Sequence, residues 1–451
     1  MSDLDRLKRV TAVTAHHRPR YHVRPPWGYL NDPNGPIVLG EVAHLYFQFR
    51  PITDLTVPVE WGHATSTDFV RWRLHRPAMA PVPDGLDRDG CWSGNTVLDD
   101  GRVRAFYSGK INESPYQSVL TAISDDGGYT FGSPELVIPD PAPDEGVTTY
   151  RDPFVWQADG QWLMAVGVGY ADEVAAIRLY ASSDLRDWMR IDDLASLPRH
   201  FVDGTDLGSA WECPQILDLG GHTVAVVGTW TPSSGPMEVL AFAADAPSHP
   251  ELVDHGTNFY AGSALRDSPY GPLLFGWVTE GCDQLRWTKA GWAGALSLPR
   301  QVWWADDGSL RSAPVPTVAE LRLGPGRRAD GAAVGPQSEI VAPTAPARLR
   351  LRFGETEHVE IVLDAEADTL TIDRTNASAD LAAGGEAVTA SGAFDAAAGR
   401  PAARIFVDGS IIEVFTSAGR VLTTRVYPVN PPPWYLETTT DGEVWELAPS
   451  H

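Results

Sequence analysis

The 451-residue chain is short of cysteine, of basic charge and of long apolar runs, and each shortage excludes a class of protein. Cys91, Cys213 and Cys282 lie far apart and are odd in number, so they make neither a disulfide framework nor a C-x-x-C metal pair. Lys and Arg total 35 against 59 Asp and Glu, a net charge of −24. A chain of that sign is repelled by a phosphate backbone, and no basic cluster offsets it, so nucleic acid is excluded as a partner. No run approaches the roughly 20 apolar residues of a membrane span. The N-terminal stretch MSDLDRLKRVTAVTAHHRPRY lacks the apolar core of a secretory leader. A soluble, cytoplasmic protein without a membrane partner is expected. His16, His17, His63 and His75 show no metal-ligand spacing, so neither a metal nor another cofactor is expected. The sequence is silent on oligomeric state.

What the chain does have is turns and flat rings. Its 42 Gly and 37 Pro are scattered between short apolar runs, and 16 Trp contribute to a 10% aromatic content, a pattern that reads as all-β. A period runs through it. STDFVRW places Asp68 before Trp72, SDDGGYTF places Asp126 before Phe131, and SSDLRDW places Asp184 before Trp188; 126 − 68 and 184 − 126 are both 58. Polar residues keep a similar step. Asp32 precedes PIVLG, Ser93 precedes NTVL, Asp152 precedes PFVW and Glu212 precedes PQIL, at spacings of 93 − 32 = 61, 152 − 93 = 59 and 212 − 152 = 60. Units of this length holding several short strands are the mark of a β-propeller, whose first strands line a central channel. Residues 20 to about 310 hold roughly five such units. Asp32, Asp152 and Glu212 are then expected at one register of successive units, meeting at one channel mouth. An acid at a lone NDPNG turn would ordinarily be a turn cap. Three acids that converge without metal-ligand spacing point instead to glycosidic chemistry on a carbohydrate.

At these residues the chain resembles glycoside hydrolase family 32, the β-fructofuranosidases. NDPNG, RDP and EC-P stand in the family's order, accompanied by YFQF, WGHATSTDFVRW, WSGN, DHGTNFYA, GWAGALSLPR and IFVDGSIIEVF. The resemblance implies a five-bladed propeller followed by a β-sandwich. It implies Asp32 as nucleophile, Glu212 as general acid and then base, and Asp152 with Arg151 as holders of fructose hydroxyls. Asn31, Gln48, Trp92 and Ser93 match positions that line the fructose subsite, and Tyr29 stands where the family usually has Trp. His is usual at Glu60, Asn at Arg50 and a second Trp at Thr56, so the family pattern is altered on the leaving-group side.

The residue types suit the chemistry. A retaining glycosidase needs one ionised carboxylate and one protonated carboxyl. Glu212 between Trp211 and Cys213 sits in an apolar setting that raises a carboxyl's pKa, and Arg151 beside Asp152 favours the charged form of Asp152. Tyr29, Trp92, Trp211 and Trp287 are candidate sugar platforms, with packing as the competing role for Trp287 and Trp61. Cys213 reads as a buried, inert thiol. Arg50 and Lys110 are charges near two unit starts; they either meet a phosphate, as in sucrose 6-phosphate, or pair with Glu60 and Glu113.

Residues 1–315 are expected to form the propeller, 316–330 a linker and 331–451 the sandwich. In the last segment Leu349, Leu351 and Phe353 alternate with arginines, and Asp408-Gly409 is a hairpin turn. The function expected is a retaining hydrolase that removes terminal β-D-fructofuranosyl residues from sucrose, fructooligosaccharides or fructans. A fructosyltransferase, a hydrolase of another furanoside, a sucrose 6-phosphate hydrolase and a sugar-binding relative without catalysis are the alternatives.

Overall fold

In a computed structural model the described residues are 13–114, 116–202, 204–247 and 249–450. The first twelve residues of the stretch read as having no leader lie outside them. Among the described residues no helix is long and apolar enough to cross a membrane, and no group of His, Cys, Asp or Glu could hold a metal.

The regular structure is almost entirely antiparallel strand, 53% against 6% helix. Five consecutive sheets open with the inner strands Gly28–Leu39, Gly90–Asp99, Val147–Ala158, Ala210–Leu219 and Tyr260–Leu265. Each inner strand pairs with the next strand in sequence, as hairpins with short turns dictate. The five inner strands pack on one another in order, and the fifth returns against the first. The short strand Trp292–Ala293 then pairs in parallel with Gly28 and Tyr29, tying late chain to early chain. The repeated Asp motifs are the turns between strands. Ser66 Oγ, Ser124 Oγ and Ser182 Oγ donate to Asp68, Asp126 and Asp184, whose Oδ1 atoms accept from backbone N–H groups ahead. Short polar side chains satisfy a tight turn in this way.

Every inner strand carries a bulge near its start. The pairing slips between Leu30 and Pro33, Cys91 and Gly94, Arg151 and Phe154, Glu212 and Gln215, and Tyr260 and Ser263. In the last three strands the first extra residue has a positive φ: 64° at Asp152, 47° at Cys213 and 50° at Ala261. Such backbone costs about 1–3 kcal/mol per residue away from glycine and bends the strand so that side chains are re-aimed.

The expectation that the three acids share one register is corrected by these bulges. Glu212 is the last paired residue before its bulge, Asp152 is the first residue within its own, and Asp32 is the second. Each bulge breaks the two-residue alternation, so residues one place apart in register reach the same space.

Residues 316–330, expected to be a linker, contain a 3-10 helix, Pro316–Leu321, and a strand, Arg322–Arg328, that pairs with Glu443–Leu447. Two six-stranded sheets follow and enclose a core that includes Leu349, Leu351, Phe353, Val359, Ile405 and Trp434. Arg348, Arg350 and Arg352 point outward to Glu360 and Glu437. The predicted alternation is therefore realised.

Candidate active site

The bulged ends of the inner strands surround a pocket of about 290 Å³ lined by Tyr29, Asn31, Asp32, Gln48, Trp92, Arg151, Asp152 and Glu212. Eight of the nine residues expected at the site line it directly. The ninth, Ser93, reaches it through Asp32: Ser93 Oγ donates to Asp32 Oδ2 at 2.7 Å. Gln48 Nε2 donates to the same oxygen at 3.1 Å, and Asn31 Nδ2 donates to Asp32 Oδ1 at 3.1 Å. Burial pushes the Asp32 carboxyl above its ordinary value, and Ser93 and Asn31 pull it back part of the way.

Glu212 is held differently. Arg151 Nη1 donates to its Oε1 at 2.7 Å and Tyr260 Oη to its Oε2 at 2.9 Å. Arg151, Glu212 and Tyr260 are the last paired residues before the bulge on three neighbouring inner strands, which is why their side chains meet. Burial is the largest influence on Glu212 and, with the charges of Asp152 and Asp32, outweighs Arg151; its pKa rises to about 7.

Asp152 departs from expectation. Its neighbour Arg151 turns to Glu212, and the positive φ at Asp152 separates the directions of the two side chains. Asp152 Oδ2 accepts from the Cys213 N–H at 3.0 Å. Burial, assisted by Asp32, raises its pKa to about 6 against the pull of Arg151. The adjacent arginine thus moderates the shift without reversing it.

Cys213 is more central than its inert reading suggests. Its Sγ lies 3.5 Å from Asp152 Oδ2 and 3.8 Å from Asp32 Oδ2, linking two of the acids. Burial and three nearby carboxylates push its thiol pKa far up, so it stays protonated and donates.

The aromatic lining is partly corrected. Tyr29 and Trp92 face the pocket, while Trp211 is fully buried against Phe242 and Trp287 sits behind Tyr29 at 5.4 Å between rings. Trp61 is fully buried against Tyr46, Tyr107 and Phe131. Alternation explains Trp211: with Glu212 turned to the pocket, its neighbour faces the packed space between sheets. Trp230, Trp277 and Tyr260 line the pocket without having been anticipated. Tyr260 was legible only as part of DHGTNFYA; Trp230 and Trp277 lie on second strands with no polar motif beside them.

Arg50 also lines the pocket, its Nε donating to Val57 O and its guanidinium lying 5.7 Å from the Tyr29 ring centre. Neither Arg50 nor Lys110 forms an ion pair with a carboxylate among the described residues; Glu113 pairs with Arg88 instead, and Lys110 Nζ donates to Ser114 O. Three polar atoms of the lining are buried without a protein partner: Asn31 Oδ1, Arg151 Nε and Trp277 Nε1. Unpaired buried donors and acceptors are costly, and a ligand rich in hydroxyls would satisfy them.

Three carboxylates gathered around such a pocket on an all-β scaffold point to a glycoside hydrolase. Residues 22–314 match the glycosyl hydrolases family 32 N-terminal domain, and residues 324–445 match the glycosyl hydrolases family 32 C terminal domain. The chain belongs to glycosyl hydrolases family 32. It is 32% identical over 332 residues to the raffinose invertase of Escherichia coli, covering 67% of this chain and 66% of that protein. It is 27% identical over 454 residues to the sucrose-6-phosphate hydrolase of Escherichia coli, covering 91% and 89%. The solved structure of sucrose-6-phosphate hydrolase from Lactobacillus gasseri superposes with a TM-score of 0.81 at 24% identity, covering 100% of this chain and 97% of that one, and shares its fold.

Proposed function

We propose that this chain is a retaining β-fructofuranosidase that removes terminal β-D-fructofuranosyl residues, built as a five-bladed propeller over residues 1–315, a connecting segment over 316–330 and a β-sandwich over 331–451. The closed order of the inner strands supports the five-bladed reading. The observation that carries the function is the unequal treatment of two acids on one pocket. Asp32 is served by three hydrogen-bond donors, whereas burial and the charges of Asp152 and Asp32 raise the Glu212 pKa to about 7 despite Arg151 and Tyr260.

In this reading Asp32 attacks the anomeric carbon of the fructosyl unit. The glycosidic C–O bond breaks, and Glu212 transfers its proton to the departing oxygen. Glu212, now ionised beside Arg151, takes a proton from water as the water oxygen displaces Asp32 from the sugar. Asp152 and the unpartnered Asn31 Oδ1 and Trp277 Nε1 bind fructose hydroxyls. Tyr260 and Arg151 orient the acid. A panel of sucrose, sucrose 6-phosphate, kestose, inulin, levan and aryl fructofuranosides tests the substrate. The Glu212→Gln variant tests the acid: turnover of sucrose should fall about 10³-fold and that of an activated aryl fructoside by about tenfold, since an activated group needs less protonation. Equal loss on both removes Glu212 from the acid role.

A second reading places a phosphate on the leaving sugar. It is favoured by Arg50, a pocket-lining cation with no carboxylate partner among the described residues. Equal kcat/KM for sucrose and sucrose 6-phosphate would dismiss it.

A further inference from the structure

Three acids line one pocket with Arg151, yet its guanidinium pairs with Glu212 alone among the described residues, at 2.7 Å. The rings around it supply a reason. Arg151 stands on the third inner strand, and the inner strands of the second and fourth sheets both pack against that strand. Each of those two sheets sends one tryptophan to the guanidinium. Trp92, on the second sheet's inner strand, has its ring centre 5.4 Å from Arg151 Cζ. Trp230, on the fourth sheet's second strand, also has its ring centre at 5.4 Å. Both distances lie within the roughly 6 Å over which an aromatic face attracts a cation.

Both tryptophans are themselves held. The Trp92 carbonyl accepts from Trp61 Nε1 at 3.0 Å, and a Cβ on Gly90 would lie 2.9 Å from the Trp92 ring, so glycine there leaves the ring its place. The Trp230 carbonyl accepts from the Ser209 N–H at 3.0 Å. Arg151 needs such support, because its Nε is buried without a partner and no hydrogen bond at that nitrogen fixes the plane of the group. A guanidinium is flat and weakly hydrated, so indole faces can hold it where hydrogen bonds do not. No other charge nearby does the same work. Asp32 and Asp152 oppose ionisation of Glu212, Tyr260 donates to it, and the Cys213 thiol stays protonated. Lys110 Nζ lies 5.5 Å from the Trp92 ring centre and donates to Ser114 O.

We propose that Trp230 is a positioning residue for the acid: with Trp92 it clamps the Arg151 guanidinium, keeps water from it and directs its charge to Glu212 instead of Asp152 or Asp32. It rests on the reading of Glu212 as general acid, and Trp230 acts on that acid only through Arg151.

The test compares Trp230→Leu, which keeps apolar cover without a π-face, with Trp230→Phe, which keeps the face. Arg151 favours the ionised form of Glu212, so a loosened guanidinium leaves the acid protonated to higher pH. In Trp230→Leu the alkaline limb of the kcat/KM profile on sucrose should move up by about half a pH unit. Its kcat should fall about fivefold on sucrose and less than about twofold on an activated aryl fructofuranoside, which needs less protonation. Trp230→Phe should recover most of both changes. An unmoved limb, a downward shift or an equal change in Trp230→Phe overturns the clamp. A raised KM with kcat and the limb unchanged also overturns it, by making Trp230 a sugar contact. Failure of the acid reading shows separately, as equal loss on the two substrates in Glu212→Gln. In that event infrared difference titration, each protein against its Glu212→Gln counterpart, decides the clamp alone. A Glu212 carboxyl that titrates about half a pH unit higher in Trp230→Leu but not in Trp230→Phe supports it, and any other pattern overturns it.

Discussion

Asp32, Asp152 and Glu212 around the pocket, and Asp254, Asp408 and Glu413 where the N-terminal segment meets the late sheets, are the same side chains in opposite surroundings. At the junction the acids are outnumbered by donors. His22 Nδ1 lies 2.9 Å from Asp408 and its Nε2 2.9 Å from Glu413. Arg300 reaches Asp254 at 2.8 Å and Glu413 at 2.5 Å. The backbone N–H groups of Arg20, Tyr21 and His22 all donate to Asp408. Burial would raise the Glu413 carboxyl, but Arg300 and His22 hold it down to about 2. In the pocket Arg151 is the one cation ion-paired with any of the three acids among the described residues, and burial wins. Counter-charge, rather than depth, decides whether a buried acid holds the fold together or is kept reactive.

The largest effects should come from removing one acid of each kind. Asp32→Asn should lower turnover at least about 10⁴-fold while leaving the melting temperature unchanged or higher. Glu413→Gln leaves Arg300 and His22 without their shared anion and should cost about 3–5 kcal/mol in chemical denaturation. If Glu413→Gln melts like wild type, or Asp32→Asn unfolds, the contrast between the two groups is wrong.

A middle-sized effect follows from His22. Burial alone would lower its pKa, yet Asp408 and Glu413 raise it to about 9 from 6.5. A raised histidine contributes stability that is fully present below pH 6.5 and is lost as pH rises through about 9. Melting temperature should therefore fall between pH 7 and 10, and His22→Gln should flatten that fall. A profile of identical shape in the variant would exclude His22 as the source.

The smallest effect belongs to Glu212. Its raised pKa means that folding opposes its ionisation, so its contribution is most favourable below 4.5 and is lost as pH rises through about 7. Glu212→Gln should consequently be more stable than wild type at pH 8, by the order of 1–2 kcal/mol, with little difference at pH 4. Equal melting curves at both values would show that the acid carries no folding penalty.

The sequence conveyed the period and the polar residues that mark it, because hairpin turns demand Gly, Asn and Asp at fixed offsets whatever lies around them. It missed Trp230 and Trp277, which lie on second strands outside the acidic motifs that mark the inner ones, and it misdirected Trp211 and Arg151. Trp211 faces away because the alternation before the bulge turns its neighbour Glu212 to the pocket, whereas Arg151 parts from Asp152 because the bulge begins between them. The Asp408-Gly409 turn was likewise legible as a turn, but not as the place where an acid collects three N–H groups from residues 20–22.

By itself, then, the order of residues determined the strands, their turns, the repeat and the identity of the acids, all of which rest on local backbone preference and side-chain periodicity. The packing of the inner strands around one pocket decided which of those acids face one another, which cation each receives and which remain without one. Those outcomes depend on electrostatics between atoms far apart in sequence, and such distances exist only once the chain has folded.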